Sequence, residues 1–60
     1  MEDEDRKGKV KSHLDNSIVF HDWLTDKTVH LPREQIAIIY DVEGEIVSMP
    51  RGLAKAKGLI

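Results

Sequence analysis

A 60-residue chain with no cysteine has no covalent means of bracing itself. A domain of this length buries only roughly 60 % of the surface its unfolded chain exposes, so its margin of stability is thin. Small domains usually add disulfides, a metal or a partner chain. Here disulfides and thiolate zinc sites are excluded by the missing cysteine. What is left is an efficient small core or association with another chain. The same absence fits a reducing compartment.

The hydrophobic share is 40 % and the charged share 33 %, which places the chain among folding sequences rather than disordered ones. The longest uninterrupted apolar run is Ile36 to Tyr40, far short of the ~18–20 residues that span a bilayer. The start, Met1-Glu2-Asp3-Glu4-Asp5, is the reverse of a secretory signal with its basic end and apolar centre. The expectation is a cytoplasmic protein with no membrane contact.

Charge divides the chain. Within residues 1–12, Glu2, Asp3, Glu4 and Asp5 are balanced by Arg6, Lys7, Lys9 and Lys11, and only Met1 and Val10 are sizeable apolar residues. Such a stretch buries too little to offset the entropy of ordering it, so residues 1–12 read as a flexible tail. Residues 13–60 then form the single small domain. Its middle carries seven acids against Lys27 and Arg33, and its end carries Arg51, Lys55 and Lys57 with no acid.

The local patterns predict an α+β fold: a small antiparallel sheet of about four strands in two hairpins, closed by a short C-terminal helix. Residues 17–24 are rich in β-branched and aromatic side chains and read as a strand. Thr25-Asp26-Lys27 suits a turn, and Thr28 to Leu31 alternates with the period of a half-buried strand. Leu24 is then expected opposite Thr28, and Asp22 opposite His30. Pro32 lacks the N–H of a ladder and ends that strand. From Pro32 to Tyr40 a helix is possible, since Ile36, Ile39 and Tyr40 share one helical face. A single helical turn followed by a strand over Ile36 to Asp41 fits the short β-prone run better. Gly44 is expected in the left-handed conformation of a bulged hairpin, with Glu45 to Met49 as the returning strand. Ser48 is a candidate cap for the last helix, which Pro50 opens and Gly58 closes, with Leu59 folding back onto Leu53 or Ala54.

The run Val29-His30-Leu31-Pro32-Arg33-Glu34-Gln35-Ile36, then Met49-Pro50 and Leu53-Ala54-Lys55-Ala56-Lys57-Gly58-Leu59, resembles a group of small, mostly uncharacterised bacterial and phage-type proteins. Their pattern is Val-Trp-Leu-Pro-Lys-Ser-Gln-Ile, a short hairpin, then Val-Pro-Glu-Trp-Leu-Ala-Lys-Lys-Lys-Gly-Leu. The resemblance covers residues 28–60. It departs at His30 and Gly52, where the pattern has tryptophan, and at Arg33, Glu34 and Arg51. It implies the strand, turn, hairpin and terminal helix, and an origin in a prophage or other mobile element. It implies no activity.

Chemistry is sparse. His13, His21 and His30 invite a metal site, but a zinc ion needs three or four converging ligands, and the expected register sends His21 and His30 to opposite faces. Ser48, His21, His30 and Asp22 have no catalytic spacing, and a domain this small has little room for a reaction pocket. The expectation is a protein that is not an enzyme and holds no cofactor or metal. Nucleic-acid binding could draw on Arg6, Lys7, Lys9 and Lys11 together with Arg51, Lys55 and Lys57, although only Phe20, Trp23 and Tyr40 could stack on bases. Trp23 reads as the main core anchor, with an exposed interface residue as the alternative. Ile36, Ile38 and Tyr40 share one face of their strand while Ala37 and Ile39 share the other, which is more apolar surface than a single-layer monomer needs. The leading expectation is a protein-interaction domain that pairs with itself or another protein, with Trp23, Ile39, Tyr40 and Val47 at the contact. The alternative is a small nucleic-acid-binding accessory protein.

Overall fold

The computed structural model describes residues 3–60. Five strands and one helix follow each other along the chain: β1 (Asp3–His13), β2 (Ser17–Asp22), β3 (Lys27–Pro32), a 3-10 turn (Arg33–Gln35), β4 (Ala37–Tyr40), β5 (Glu45–Pro50) and α1 (Arg51–Ala56). The strands form one antiparallel sheet in the order β3-β2-β1-β5-β4. The expected fold class stands, with five strands where about four were expected.

The fifth strand is the segment read as a tail. Asp3–His13 is the central strand of the sheet; Met1 and Glu2, the rest of that expected tail, lie outside the described residues. Its charges alternate with the pleat. Asp5, Lys7, Lys9 and Lys11 are exposed, while Arg6, Gly8 and Val10 are buried. Ordering is offset by two ladders: residues 3–8 pair with β5, and residues 8–13 pair with β2. Gly8 is where the two ladders meet, opposite both Asp22 and Glu45. A Cβ at Gly8 would stand 1.9 Å from the His21 carbonyl oxygen, so no side chain fits there. Between Val10 and Ser12 the register with β2 shifts, leaving Lys11 as the extra residue of a bulge.

The inner face carries the core: Val10, Ile18, Phe20, Leu31, Val47 and Met49 from the sheet, with Ala54 and Leu59 laid across them. Each of the larger side chains contributes about 1.5–3 kcal/mol by leaving water. Phe20, fully buried, is the largest of them. Trp23 is not the core anchor, because it falls beyond the end of β2 and stays 45 % exposed.

Three local expectations change. The β2–β3 turn has four residues, Trp23 to Asp26, and its register sets Asp22 opposite Lys27, His21 opposite Thr28 and Val19 opposite His30. The Asp22 carboxylate organises the turn by accepting from the Thr25 N–H at 2.9 Å and the Thr25 hydroxyl at 2.7 Å, while Asp26 takes a φ of 59°. Gly44 has no positive φ; Gly58 does, at 76°. Gly44 is needed instead for close approach, since a Cβ would stand 2.4 Å from the Gly8 carbonyl oxygen and 2.8 Å from the Trp23 ring. Ser48 lies within β5 opposite Asp5 and Ala37, so it cannot cap α1; Pro50 is the N-cap residue.

The far end of α1 follows the sequence closely. Gly58 N–H donates to the Lys55 carbonyl and Leu59 N–H to the Ala54 carbonyl, the paired bonds of a glycine-terminated helix. Leu59 is thereby turned into the core beside Ala54. Between β3 and β4 the chain makes the single helical turn Arg33–Gln35 and then a strand, rather than one longer helix.

Candidate interaction surface

A five-stranded open sheet has two outer strands, here β3 and β4. An outer strand leaves alternate N–H and C=O groups unpaired, and these can bind another strand. β3 begins with Lys27 and ends with Pro32. The Lys27 ammonium donates to the Gly58 carbonyl at 3.0 Å, tying the start of β3 to the end of α1. β4 is Ala37-Ile38-Ile39-Tyr40, with neither charge nor proline. Ile39 is 54 % and Tyr40 68 % exposed.

Register explains the exposure on both faces of β4. On the outer face Ile39 stands opposite Ile46 of β5, which in turn lies opposite Lys7 of β1. On the inner face Ile38 stands opposite Val47 and packs against the core. Tyr40, two residues further along the same face, stands opposite Glu45 and is left exposed. Lys7 donates to Asp41 at 3.1 Å, pinning the β4–β5 turn to the centre of the sheet. This hydrogen bond, with the Lys7 charge, holds the Asp41 carboxyl below its ordinary range, and it holds the Lys7 ammonium above its own.

Of the four expected contact residues, Ile39 and Tyr40 lie together on this edge. Val47 does not belong with them. It is fully buried, because its parity on β5 points it into the core. Trp23 is partly exposed, with its ring beside Gly44 at the β4–β5 turn, but it is not part of the β4 strand.

The seven cations considered for nucleic acid do not form one surface. Arg6 is buried and makes two hydrogen bonds to the Asp22 carboxylate, at 3.0 and 2.9 Å. Lys7 is engaged with Asp41, and Lys9 stands 3.8 Å from Glu45. Lys7, Lys9 and Lys11 alternate with the buried residues of β1 and so occupy the outer face. Arg51 and Lys55 belong to the helix packed on the inner face, and Lys57 is its C-cap residue.

The Arg6–Asp22 pair is the feature the sequence hid most completely. Burial pushes the Asp22 carboxyl up, but the hydrogen bonds from Arg6 and Thr25 and the Arg6 charge outweigh it, and the net shift is downward. The same carboxylate raises the Arg6 guanidinium against its desolvation. Nothing in the spacing of the two residues, sixteen apart, announces the pair. Glu45 beside it is also buried, and its Oε2 has no hydrogen-bond partner among the described residues.

The histidines are dispersed. Among the described residues no three histidine, aspartate or glutamate side chains gather as metal ligands. The His21 ring bridges two neighbours, its Nε2 standing 2.9 Å from the Asp26 carboxylate and its Nδ1 2.9 Å from the Thr28 hydroxyl. His13 lies 3.4 Å from the Arg33 guanidinium, and His30 is exposed on β3. No helix among the described residues is long and apolar enough to cross a membrane. Comparison of the chain with protein-family models, with curated proteins and with solved structures finds no match.

Proposed function

We propose that this protein is a non-enzymatic interaction domain that pairs through the bare edge of β4, with a second copy of the same chain as its first partner. The observation that carries this is the contrast between a four-residue outer strand with no charge or proline and the protected strand at the other side. A strand edge recognises another strand by main-chain hydrogen bonds, and side chains on alternate positions set the register.

Charge selects the direction. Arg33 and Glu34 precede β4, and Asp41 and Glu43 follow it. A parallel approach of two copies would stack Asp41 on Asp41 and Glu43 on Glu43. An antiparallel approach sets the acidic turn of each against the Arg33 end of the other. Pairing Ile39 with Ile39 of the second copy keeps each face continuous, because directly opposite residues share a face. It also brings Tyr40 against Ile38 of the second copy. An edge of four residues gives a small interface, so the association is weak and reversible.

Sedimentation over a concentration series from micromolar to millimolar tests the reading. The unmodified protein is expected to move from monomer to dimer. Ile39→Asp is expected to stay monomeric while keeping its circular dichroism spectrum, since Ile39 is outside the core. A stable monomer at millimolar concentration in the unmodified protein overturns the proposal.

A further inference from the structure

A second free edge lies in the middle of the molecule. β1 pairs with β5 over residues 3–8, but β2 has already ended where Asp22 faces Gly8. The last bond on the β2 side runs from the Trp23 N–H to the Lys7 carbonyl at 3.1 Å. In a strand, residues two apart point their N–H and C=O to the same side. The main-chain groups of Asp5 and Asp3 therefore point the way Lys7 does, into space that β2 has vacated. That space is an open cleft of about 380 Å³, lined by Asp5, Arg6, Lys7, Trp23 and Leu24. Leu24 is 81 % exposed.

We propose that this cleft receives a short extended peptide with cationic side chains at alternate positions, added as an extra strand beside residues 3–7. Three features act together. The main chain offers strand-type hydrogen bonds from one side. Trp23 and Leu24 offer an apolar end wall, and a tryptophan ring also attracts cations. Asp3 and Asp5 share the outer face and are both exposed. Neither carboxylate is in an ion pair among the described residues, whereas the neighbouring Lys7 is already matched by Asp41. An added strand would place two alternate residues directly opposite these carboxylates, and opposite charges at such positions stabilise a strand pair. A guanidinium suits a carboxylate there through its two parallel N–H donors. The cleft is distinct from the β4 edge, so it can be occupied whether or not two copies pair.

Trp23 is the only tryptophan, so its fluorescence reports the site directly. The probe is the blocked peptide Arg-Val-Arg-Val, titrated into the full chain carrying Ile39→Asp so that self-association does not contribute. Three comparison peptides are used: Glu-Val-Glu-Val, a version N-methylated at the amides meant to face Asp5, and free arginine amide. Saturable quenching or a spectral shift is expected with the cationic peptide. Asp5→Asn is expected to weaken it by about two- to fivefold, in line with one exposed charge pair. N-methylation is expected to weaken it by about fivefold, the loss of one hydrogen bond. No saturable change up to millimolar peptide overturns the proposal. Equal binding of the acidic peptide removes the charge selection, and equal binding of the N-methylated peptide or of arginine amide removes the added strand; either result also overturns it. Leu24→Ser, at an exposed turn position, supplies a second variant whose folding is not at risk and is expected to weaken the cationic peptide.

Discussion

The two outer strands of this sheet face the same physical problem and meet it differently. β3 carries Lys27 at its start, Pro32 at its end and exposed Thr28 and His30 between them. Its start is also fastened to α1 through the Lys27 to Gly58 bond. β4 carries only apolar and aromatic side chains. Charge, a missing N–H and a tether make the first edge a poor template for another strand, whereas none of these falls within the four residues of β4, whose nearest tether is Lys7 to Asp41 in the turn beyond it. Edge protection is therefore a property of a few side chains and not of the sheet, which leaves β4 as the side where association is cheapest in desolvation.

The largest effect should come from the residue that builds the β3 side. Asp22→Ala removes the partner of the buried Arg6 and both Thr25 bonds of the β2–β3 turn. Leaving a buried charge unpaired costs about 3–5 kcal/mol, comparable to the whole stability of a domain this short. Urea denaturation should show a chain that is largely unfolded without denaturant. A mild loss instead would mean that Arg6 finds water and that β2–β3 holds without the pair.

Acid reaches the same pair without mutation. The folded-state pKa of Asp22 is depressed, so the stability it contributes is present above the ordinary aspartate value of about 3.9 and is lost as pH falls through the folded value. Asp41 is shifted in the same direction by Lys7. Thermal melts should therefore fall steeply below about pH 4. Lys7→Met should remove part of the acid dependence that belongs to the β4–β5 turn. A melting profile without an acid limb would contradict both assignments.

The edge contrast itself is sharpened by matched substitutions. Ile39→Asp on β4 should weaken self-association at least about tenfold, equivalent to about 1.4 kcal/mol. His30→Asp, at an outward position of β3, should leave it unchanged. Equal effects at both positions would show that the two edges contribute alike. The smallest effect is expected at the tether. Gly58→Ala places a Cβ on a residue with a φ of 76° and 3.0 Å from the Lys27 ammonium, and should cost about 1 kcal/mol in chemical denaturation.

The parts of the fold that were legible are those governed by neighbours in sequence. Pro32 closed β3, the Arg33–Gln35 turn separated it from β4, and Gly58 with Leu59 ended the helix in the expected way. The exposure of Ile39 and Tyr40 was legible too, because a strand that is apolar on both faces has surface left over. Trp23 and Val47 were not, since each was decided by one step of register. The four-residue turn organised by Asp22 placed Trp23 outside the core, and parity on β5 placed Val47 inside it.

By itself the sequence determined that a chain without covalent bracing would be a small antiparallel sheet with a terminal helix, because alternation, turn residues and capping act over a few residues. Only the tertiary structure decided that Asp3–His13 is the centre of that sheet. A charged strand is ordered by partners far along the chain: two flanking ladders, a glycine that lets them meet, and one aspartate that makes burial of Arg6 tolerable. Composition counts such charges as solvated, and it has no means of seeing the one that is buried with its partner.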